Sequence, residues 1–299
     1  MFKLIGFLFV LVICSAVAEA HPGIGIVQDS KGNVFYTDLN HVWKISTDGE
    51  HSIAVKDVHT HELYIDEEDN LYGEHEWYEG EVTDKWGNYV WCLSNDGVLE
   101  KTIPDVEGFL DNNTLVRDLE YSTYWVEKSG DHEILKKQTL SGQVHFVTKQ
   151  YFDDIRWMYF SMYDHNLYVV DLLKIKKVTP QGDIMVIADN LKDSKISLLN
   201  VADRHYLSGI WSDEKRNIYV AVYGAGKVKK ISSTGKITTV FESKTFWSPT
   251  GGLNAPDGTQ WILEFSKRNK TRVRKIGVDG KHTLFTSKLF TRINSTDNA

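Results

Sequence analysis

Histidines concentrate in one short stretch of the 299-residue chain, where His59, His61 and His75 fall close together. Residues two apart on a β-strand point to the same side of a sheet, so the first two would share one face. If the turn between the strands centres on Glu68, His61 lies opposite His75 and His59 lies opposite Trp77. Directly opposed residues bring their Cβ atoms to about 4.5–5.5 Å, close enough for two imidazoles to hold one ion.

This cluster allows three interpretations. His59, His61 and His75 can hold one divalent metal ion, which would then be the cofactor. The imidazoles can instead contact an organic ligand or act as acid and base near neutral pH. The cluster can also be a packed structural group. Carboxylates stand nearby at Glu62, Glu74 and Glu76. The spacing of the histidines does not separate these interpretations.

Positioning such groups requires a repeated scaffold, and the chain repeats a strand–turn–strand unit six times. The turns end in Gly49, Gly97, Gly142, Gly182, Gly235 and Gly280. Their mean spacing of about 46 residues is typical of propeller blades. Upstream of each unit stand an apolar strand, a polar turn and an aromatic-rich strand. Four strands in each of six copies predict an all-β, six-bladed β-propeller of four-stranded antiparallel blades.

In such blades the first strand starts and the second strand ends at the same face, around the central channel, where functional groups from all six copies converge. Second-strand ends carry Asp38, Glu74, Glu127, Asp171 and Glu264. We expect Asp38, Glu127, Asp171 and Glu264 to accept hydrogen bonds from the backbone of the next loop, and the ring of acids to make this face electronegative. Glu74 and Asp171 are also predicted to contact a ligand.

Two more histidines, His21 and His205, stand equally far before the turn acids Asp29 and Asp213 and so occupy equivalent places in blades 1 and 5. We therefore add His205 to His61 and His75 as candidate catalytic residues. His21 is a candidate ligand-binding residue, because cleavage after residue 20 would also give it a free α-amino group.

Two later blade entries carry further candidates. Arg156 follows Asp153 and Asp154 and can either present a cation to a ligand or pair with an aspartate. Trp247 begins a Gly-containing strand start near the channel and is a second candidate ligand contact. Glycines at that strand start can equally serve close packing.

Composition and the N-terminus limit the class of protein. A net charge of −7 argues against a nucleic-acid partner. Lys3, an apolar run over 4–17 and small residues around Ala20 predict a signal peptide at 1–20, a propeller at 21–288 and a polar tail at 289–299. We expect a secreted or periplasmic monomer with no membrane span and, since Cys92 is the one cysteine after the signal, no internal disulfide.

Two strings, Gly-Asn-Val-Phe-Tyr-Thr-Asp at 32–38 and Lys-Lys-Ile-Ser-Ser-Thr-Gly at 229–235, resemble the NHL repeat. Residues 22–287 are similar to the NHL and SMP-30/gluconolactonase-like propellers. That resemblance implies the propeller fold. The group includes calcium-dependent lactonases, an amidating lyase, a streptogramin lyase and plain binding modules. Where its lactonases carry oxygen ligands, this chain has Pro22-Gly23, Ser208-Gly209 and Thr250-Gly251, which disfavours a calcium lactonase.

The sequence thus predicts an exported propeller with a His-rich, acidic site at the channel mouth, acting as a metal- or histidine-dependent hydrolase or lyase on a small molecule. The alternative is a non-catalytic binding module for a small molecule, a glycan or a protein. No nucleotide cofactor is expected. Gly23-Ile24-Gly25 lacks the final glycine of a dinucleotide fingerprint, and Gly224–Lys227 lacks the upstream glycine of a phosphate loop.

Overall fold

The computed structural model describes residues 22–108, 110, 115–193, 201–244 and 246–286. His21, the predicted signal peptide at 1–20 and the polar tail at 289–299 lie outside these residues. Among the described helices, none has the length and apolar character needed to cross a membrane.

The described strands form six antiparallel sheets, one for each predicted blade. Blade 1 contains β1 (Ile26–Gln28), β2 (Val34–Thr37), β3 (Val42–Ile45) and β4 (His51–Val55). Blade 2 contains β5 (Leu63–Ile65), β6 (Leu71–Tyr78), β7 (Trp86–Leu93) and β8 (Leu99–Glu107). Blade 3 contains β9 (Thr123–Ser129), β10 (His132–Gln138) and β11 (Val144–Phe146).

Blade 4 contains β12 (Ile155–Ser161), β13 (Asn166–Asp171), β14 (Lys174–Val178) and β15 (Ile184–Ala188). Blade 5 contains β16 (Ile210–Ser212), β17 (Ile218–Val222), β18 (Lys227–Ile231) and β19 (Ile237–Glu242). Blade 6 contains β20 (Trp247–Asn254), β21 (Gln260–Ser266), β22 (Thr271–Ile276) and β23 (His282–Thr286). Two 3₁₀ turns, Asp203–His205 and Tyr223–Ala225, flank β16 and β17.

The predicted six-bladed propeller is confirmed, with one local difference in blade 3. There the described residues form three paired strands, and a single bridge between Arg117 and Thr123 stands where the innermost strand would run. In the other five blades, four consecutive strands pair in chain order.

The turn glycines of the repeat have a backbone reason. All six adopt positive φ, between +76° and +91°, a region that L side chains rarely enter. At Gly97, for example, the N–H donates to the Ser94 carbonyl at 2.9 Å and closes the turn between β7 and β8. The recurring glycine is therefore a requirement of turn geometry.

The polar turn before the second strand of each blade is closed by an aspartate. In blade 5 the Asp213 carboxylate accepts the Asn217 N–H at 2.9 Å and the Tyr219 hydroxyl at 2.9 Å. A tyrosine hydroxyl donates to the turn aspartate in blades 2, 3 and 4 as well, through Tyr72, Tyr124 and Tyr168. This pairing accounts for the repeated acidic turn and aromatic strand.

Hydrophobic clusters join neighbouring blades. Blade 6 packs against blade 1 in one of them, where Trp261, Leu263 and Phe265 meet Tyr36 and Trp43. Because the last blade packs directly on the first, side-chain burial closes the ring in the described part of the chain.

Around the axis, the starts of four inner strands meet backbone to backbone. Gly25 donates its N–H to the His61 carbonyl at 2.8 Å, and Gly209 donates to the Thr250 carbonyl at 2.7 Å. A Cβ added at Gly251 would lie 2.2 Å from the Ile24 carbonyl oxygen. Small residues here let blades 1, 2, 5 and 6 approach closely, as expected for glycines at this strand start.

We expect Gly251→Ala to lower the free energy of unfolding by about 3 kcal/mol. The added methyl group would overlap the Ile24 backbone, which cannot move aside without disturbing the neighbouring strand. Urea denaturation measures the change. Gly277→Ala is the control, since its Cβ would meet the movable Asp279 side chain and its φ is not positive. Equal effects of the two substitutions would contradict the close packing of the inner strands.

Candidate functional site

The strands around the histidine cluster have the predicted register, but their pairing ends early. Leu63 pairs with Gly73 and Ile65 with Leu71, as a turn centred on Glu68 requires. The described β5 begins only at Leu63, so His59 and His61 precede it. The His59 carbonyl accepts the N–H of Glu76 at 3.0 Å, one residue out of the expected register. The predicted pairing of His59 with Trp77 is therefore wrong.

The histidines nevertheless come together through other contacts. The His59 backbone N–H donates to His75 Nδ1 at 2.9 Å. The rings of His59 and His61 lie edge to face, with centroids 4.8 Å apart. Glu74 Oε1 accepts the His61 N–H at 2.6 Å and lies 3.7 Å from His61 Nδ1. The cluster is thus fixed by one carboxylate and one imidazole acceptor.

His59 and His75 open onto a cavity of about 500 Å³ between blades 1 and 2, which we call the histidine pocket. Its lining residues are Asp38, Leu39, Asn40, His41, Trp43, Asp57, Val58, His59 and His75. Leu39 and Asp57 have φ of 70° and 57°. Such left-handed backbone at non-glycine residues is strained and is common at functional sites.

Sequence reasoning missed His41 and Asp57 in this pocket. His41 Nδ1 accepts the Asp57 N–H at 3.0 Å, across the loops that follow β2 and β4. No local pattern signals that contact, because it depends on how the two loops of blade 1 fold over each other.

The environment lowers the pKa of two histidines. Burial lowers the pKa of His59, and the neighbouring charge of His61 lowers it further. Burial also lowers the pKa of His75, with smaller contributions in the same direction from His59 and Lys101. Both imidazoles are therefore neutral at pH 7.

His61 behaves in the opposite way. Burial opposes its charged form, but the hydrogen bond and charge of Glu74, supported by Glu76 and Glu62, outweigh that effect and raise its pKa. His61, with a raised pKa, thus lies beside His59 and His75, whose pKa values are lowered. Groups whose pKa values are pushed apart in this way are suited to separate acid and base roles.

The tautomer of His75 bears on the predicted metal. Because His75 Nδ1 accepts a backbone N–H, neutral His75 carries its proton on Nε2 and has no lone pair there for an ion. Moreover, the described residues contain no group of three or more His, Cys, Asp or Glu side chains that could hold a metal ion. The predicted set of His59, His61 and His75 therefore does not fit a divalent cation in this arrangement.

A second cavity, of about 550 Å³, occupies the central channel. It reaches from Glu62 and the buried Gly25, Gly209 and Gly251 to exposed residues at the turns between first and second strands, such as Met162. The close glycine contacts narrow the end near the histidines. Backbone contacts therefore narrow the predicted channel mouth at that face, and the exposed lining residues lie at the opposite face.

Glu62 is the functional candidate in this channel that sequence reasoning did not single out. Burial, reinforced by the charge of Glu74, raises its pKa to about 8. Its N–H donates to Glu74 Oε1 at 3.2 Å, next to the bond from His61. Since adjacent residues of an extended segment point to opposite sides, the position beside His61 was the available signal.

The acids at second-strand ends hold structure, and the expected bond from the backbone of the next loop is found at Asp38, whereas the others bind different partners. Asp38 accepts the N–H groups of Asn40 and His41 and the Trp43 indole N–H. Asp171, predicted to contact a ligand, accepts the N–H groups of Asp153 and Asp154 and pairs with Lys176 at 2.5 Å.

Glu264 and Glu127 are likewise partnered. Glu264 is fully buried and binds Arg272 and Arg274. Glu127 pairs with Lys136 at 2.5 Å in blade 3. These ion pairs stabilise their own blades, and of the four acids only Asp38 lines one of the two cavities, the histidine pocket.

The remaining candidates stand apart from the histidine pocket. Arg156 Nη1 lies 3.9 Å from Asp154 Oδ1, the aspartate pairing considered for it. Trp247 is stacked by the Arg272 guanidinium at 4.0 Å. His205 lies in the 3₁₀ turn before blade 5 and lines neither the pocket nor the channel.

Comparison with protein-family models finds no match, and comparison with curated proteins finds none either. Among solved structures, a protein predicted to be a gluconolactonase is 12% identical over 82% of this chain and 85% of its own, with a TM-score of 0.56. A streptogramin B lyase is 15% identical over 90% of this chain and 84% of its own, with a TM-score of 0.51.

A calcium-binding regucalcin from Agrobacterium tumefaciens is 15% identical over 81% of this chain and 82% of its own, with a TM-score of 0.47. At these identities the likeness is one of fold, because unrelated chemistries share a propeller scaffold. The expected resemblance to SMP-30/gluconolactonase-like six-bladed propellers is confirmed at that level.

We expect Glu74→Gln to lower the pKa of His61, because the amide can still accept hydrogen bonds but carries no charge. NMR titration of the imidazole signals measures this. In the unsubstituted protein, His61 gains stability from its raised pKa below its ordinary value of 6.5 and loses that gain as pH rises through the folded-state value. Glu127→Gln, at the equivalent strand end of blade 3, should leave His61 unchanged. An unmoved His61 in Glu74→Gln would exclude this ion pair.

Proposed function

We propose that the protein is an exported hydrolase or lyase that acts on a small molecule in the histidine pocket. The observation that carries the proposal is the geometry of the cluster, where His75 Nδ1 accepts the His59 N–H at 2.9 Å and the rings of His59 and His61 lie 4.8 Å apart. The raised pKa of His61 beside the lowered pKa values of His59 and His75 supports it. A neutral imidazole is an effective base near neutral pH, and an N–H held in a fixed direction can polarise a carbonyl.

Each imidazole has a role that follows from its contacts. His59 makes a backbone hydrogen bond with Leu39, and its remaining ring nitrogen is the base that removes a proton from water or from the substrate. His75, whose Nδ1 accepts the His59 N–H, offers Nε2–H to a substrate oxygen. Burial lowers the pKa of His59, and His61, whose charged form Glu74 stabilises, lowers it further.

Attack of water on an ester or lactone carbonyl would need one base and one hydrogen-bond donor. Removal of a proton beside a carbonyl, followed by elimination, would need the same two groups. Both are within the reach of His59 and His75. These roles use only the ring nitrogens of His59 and His75.

The test is turnover of a panel of small esters, γ- and δ-lactones and a cyclic depsipeptide lactone. We expect His59→Gln to lower kcat/KM by about 100-fold or more, the usual contribution of a positioned base. His75→Asn should cause a loss of similar order, since its amide oxygen can replace Nδ1 but nothing replaces Nε2–H. The exposed His282→Gln on β23 is the control.

Activity of the unsubstituted protein should fall below about pH 6.5 as His59 gains a proton, because its pKa lies below that value. Turnover that survives both pocket substitutions would contradict the assignment.

A non-catalytic binding module is the second candidate. It is favoured by the partnering of the surrounding acids, since Asp38 and Asp171 already bind backbone N–H groups and leave few free carboxylates for chemistry. Binding of a small molecule or glycan to the pocket without turnover of any panel member would select this candidate.

Export is the part of the proposal that rests on the N-terminus alone. In a secreting host we expect the mature chain to begin at His21, with residues 1–20 removed. Intact-mass measurement of protein from the medium or periplasm would show it. Ala20→Pro should block cleavage and leave the longer chain in the cells, whereas retention of residues 1–20 in the unsubstituted protein would refute the signal peptide.

A further inference from the structure

We propose that the central channel is a second ligand site, distinct from the histidine pocket, which takes an organic amine with an apolar body and pairs its ammonium group with Glu62. The channel volume of about 550 Å³ falls in the range of small-molecule sites. Nothing in this proposal depends on the activity assigned to the histidine pocket.

Glu62 is aimed into an apolar space. The inner strands contribute Ile26, Leu63, Met158, Phe160, Ile210 and Leu253 to the channel wall. Within the described residues, the Glu62 carboxyl makes no hydrogen bond or ion pair, and this half-buried residue lies on the channel wall. A carboxyl group buried without a partner is costly, so a ligand that supplies one gains free energy on binding.

Charge selects a cation for this position. Glu74 stands behind Glu62 and disfavours a second negative charge, which an ammonium group would compensate. The other charged residues that line the channel are Asp29, Asp66, Glu67, Asp69, Arg117 and Asp118. Asp118 is paired with Lys137 at 2.7 Å. The four other acids against one arginine still give the channel a negative field that attracts cations.

Several of the other charged side chains on the channel wall already have partners, which leaves Glu62 as the group that would bind the ammonium. Asp66 accepts the Asn70 N–H within its own turn, and Asp69 accepts the N–H and hydroxyl of Ser30 from the turn of blade 1. Both carboxylates therefore already have partners. Arg117 stacks over Tyr64 with its guanidinium 6.0 Å from the ring centre. His61 is the titratable neighbour on the other side of the segment.

Aromatic residues also line the channel, at Tyr159, Tyr163 and Trp211. Trp211 is buried and stacked on Tyr219, so the partly exposed Tyr159 and Tyr163 offer the aromatic faces. Aromatic faces attract cations and accept apolar rings, so they favour an amine that carries a hydrocarbon or aryl group over a hydrated inorganic ion. Entry is from the turn face, where Met162 and Leu119 are exposed.

The experiment is calorimetric titration with three probes that share one body, namely 4-phenylbutylamine, 4-phenylbutan-1-ol and 4-phenylbutyrate. At pH 7 the amine should bind at least about tenfold more tightly than the alcohol or the carboxylate. Equal binding of the three probes, or tighter binding of the carboxylate, would overturn the proposal. This comparison uses the unsubstituted protein and so does not depend on any variant.

Protonation gives an independent readout. With a pKa of about 8, Glu62 is about one-eleventh ionised at pH 7 and about ten-elevenths ionised at pH 9. An alkylamine with a pKa near 10.4 stays largely protonated at both values, so its affinity should rise about tenfold and its binding at pH 7 should release close to one proton. Titration in buffers of different ionisation enthalpy measures that release. Affinity that is flat between pH 7 and 9, without proton release, would also overturn the proposal.

Glu62→Gln should remove the advantage of the amine over the alcohol, while Glu100→Gln on the outer strand β8 should leave it unchanged. Circular dichroism and thermal unfolding establish that both variants are folded. Retained preference for the amine in folded Glu62→Gln would assign the cation to another group. The outcome is separable from catalysis, because His59→Gln should leave amine binding intact.

Discussion

The Glu74 carboxylate fixes the segment on which both cavities depend. One of its oxygens accepts the N–H groups of His61 and Glu62, just before β5 begins. Regular strand pairing does not extend to these residues, so this carboxylate takes the place of the missing ladder. Without it, two partly buried N–H groups would lose their acceptor, at a cost of about 1–3 kcal/mol each.

The hydrogen bonds to Glu74 also place titratable side chains on two sides of blade 2. An extended segment alternates its side chains, so His61 turns toward His59 while Glu62 turns into the channel. On one side the acid stabilises an imidazolium, and on the other it destabilises a second carboxylate. A single negative charge thus raises the pKa of both neighbours, which stabilises the charged form of His61 and the neutral form of Glu62.

The fold could be predicted because its determinants are local. Each blade repeats a positive-φ glycine and an aspartate-closed turn, and both are visible as sequence spacing. The candidate functional site could be predicted from the sequence only in part. The register of β5 and β6 followed from the turn centre, but its end at Leu63 depends on the Glu74 hydrogen bonds. The constricted channel end depends on glycines of separate blades, such as Gly251 against Ile24, which no repeat pattern reveals.

The two cavities are electrostatically linked despite facing different sides. The charge of Glu62 raises the pKa of His61, and the charge of His61 lowers the pKa of Glu62. Such coupling is reciprocal, so ionisation of Glu62 favours the proton on His61, and the positive charge of a bound ammonium group reduces this effect. Since charged His61 lowers the pKa of His59, the change reaches the histidine pocket without any movement of the backbone. Glu74 lies between the two as the shared counter-charge, and this is why neither cavity has an independent charge state.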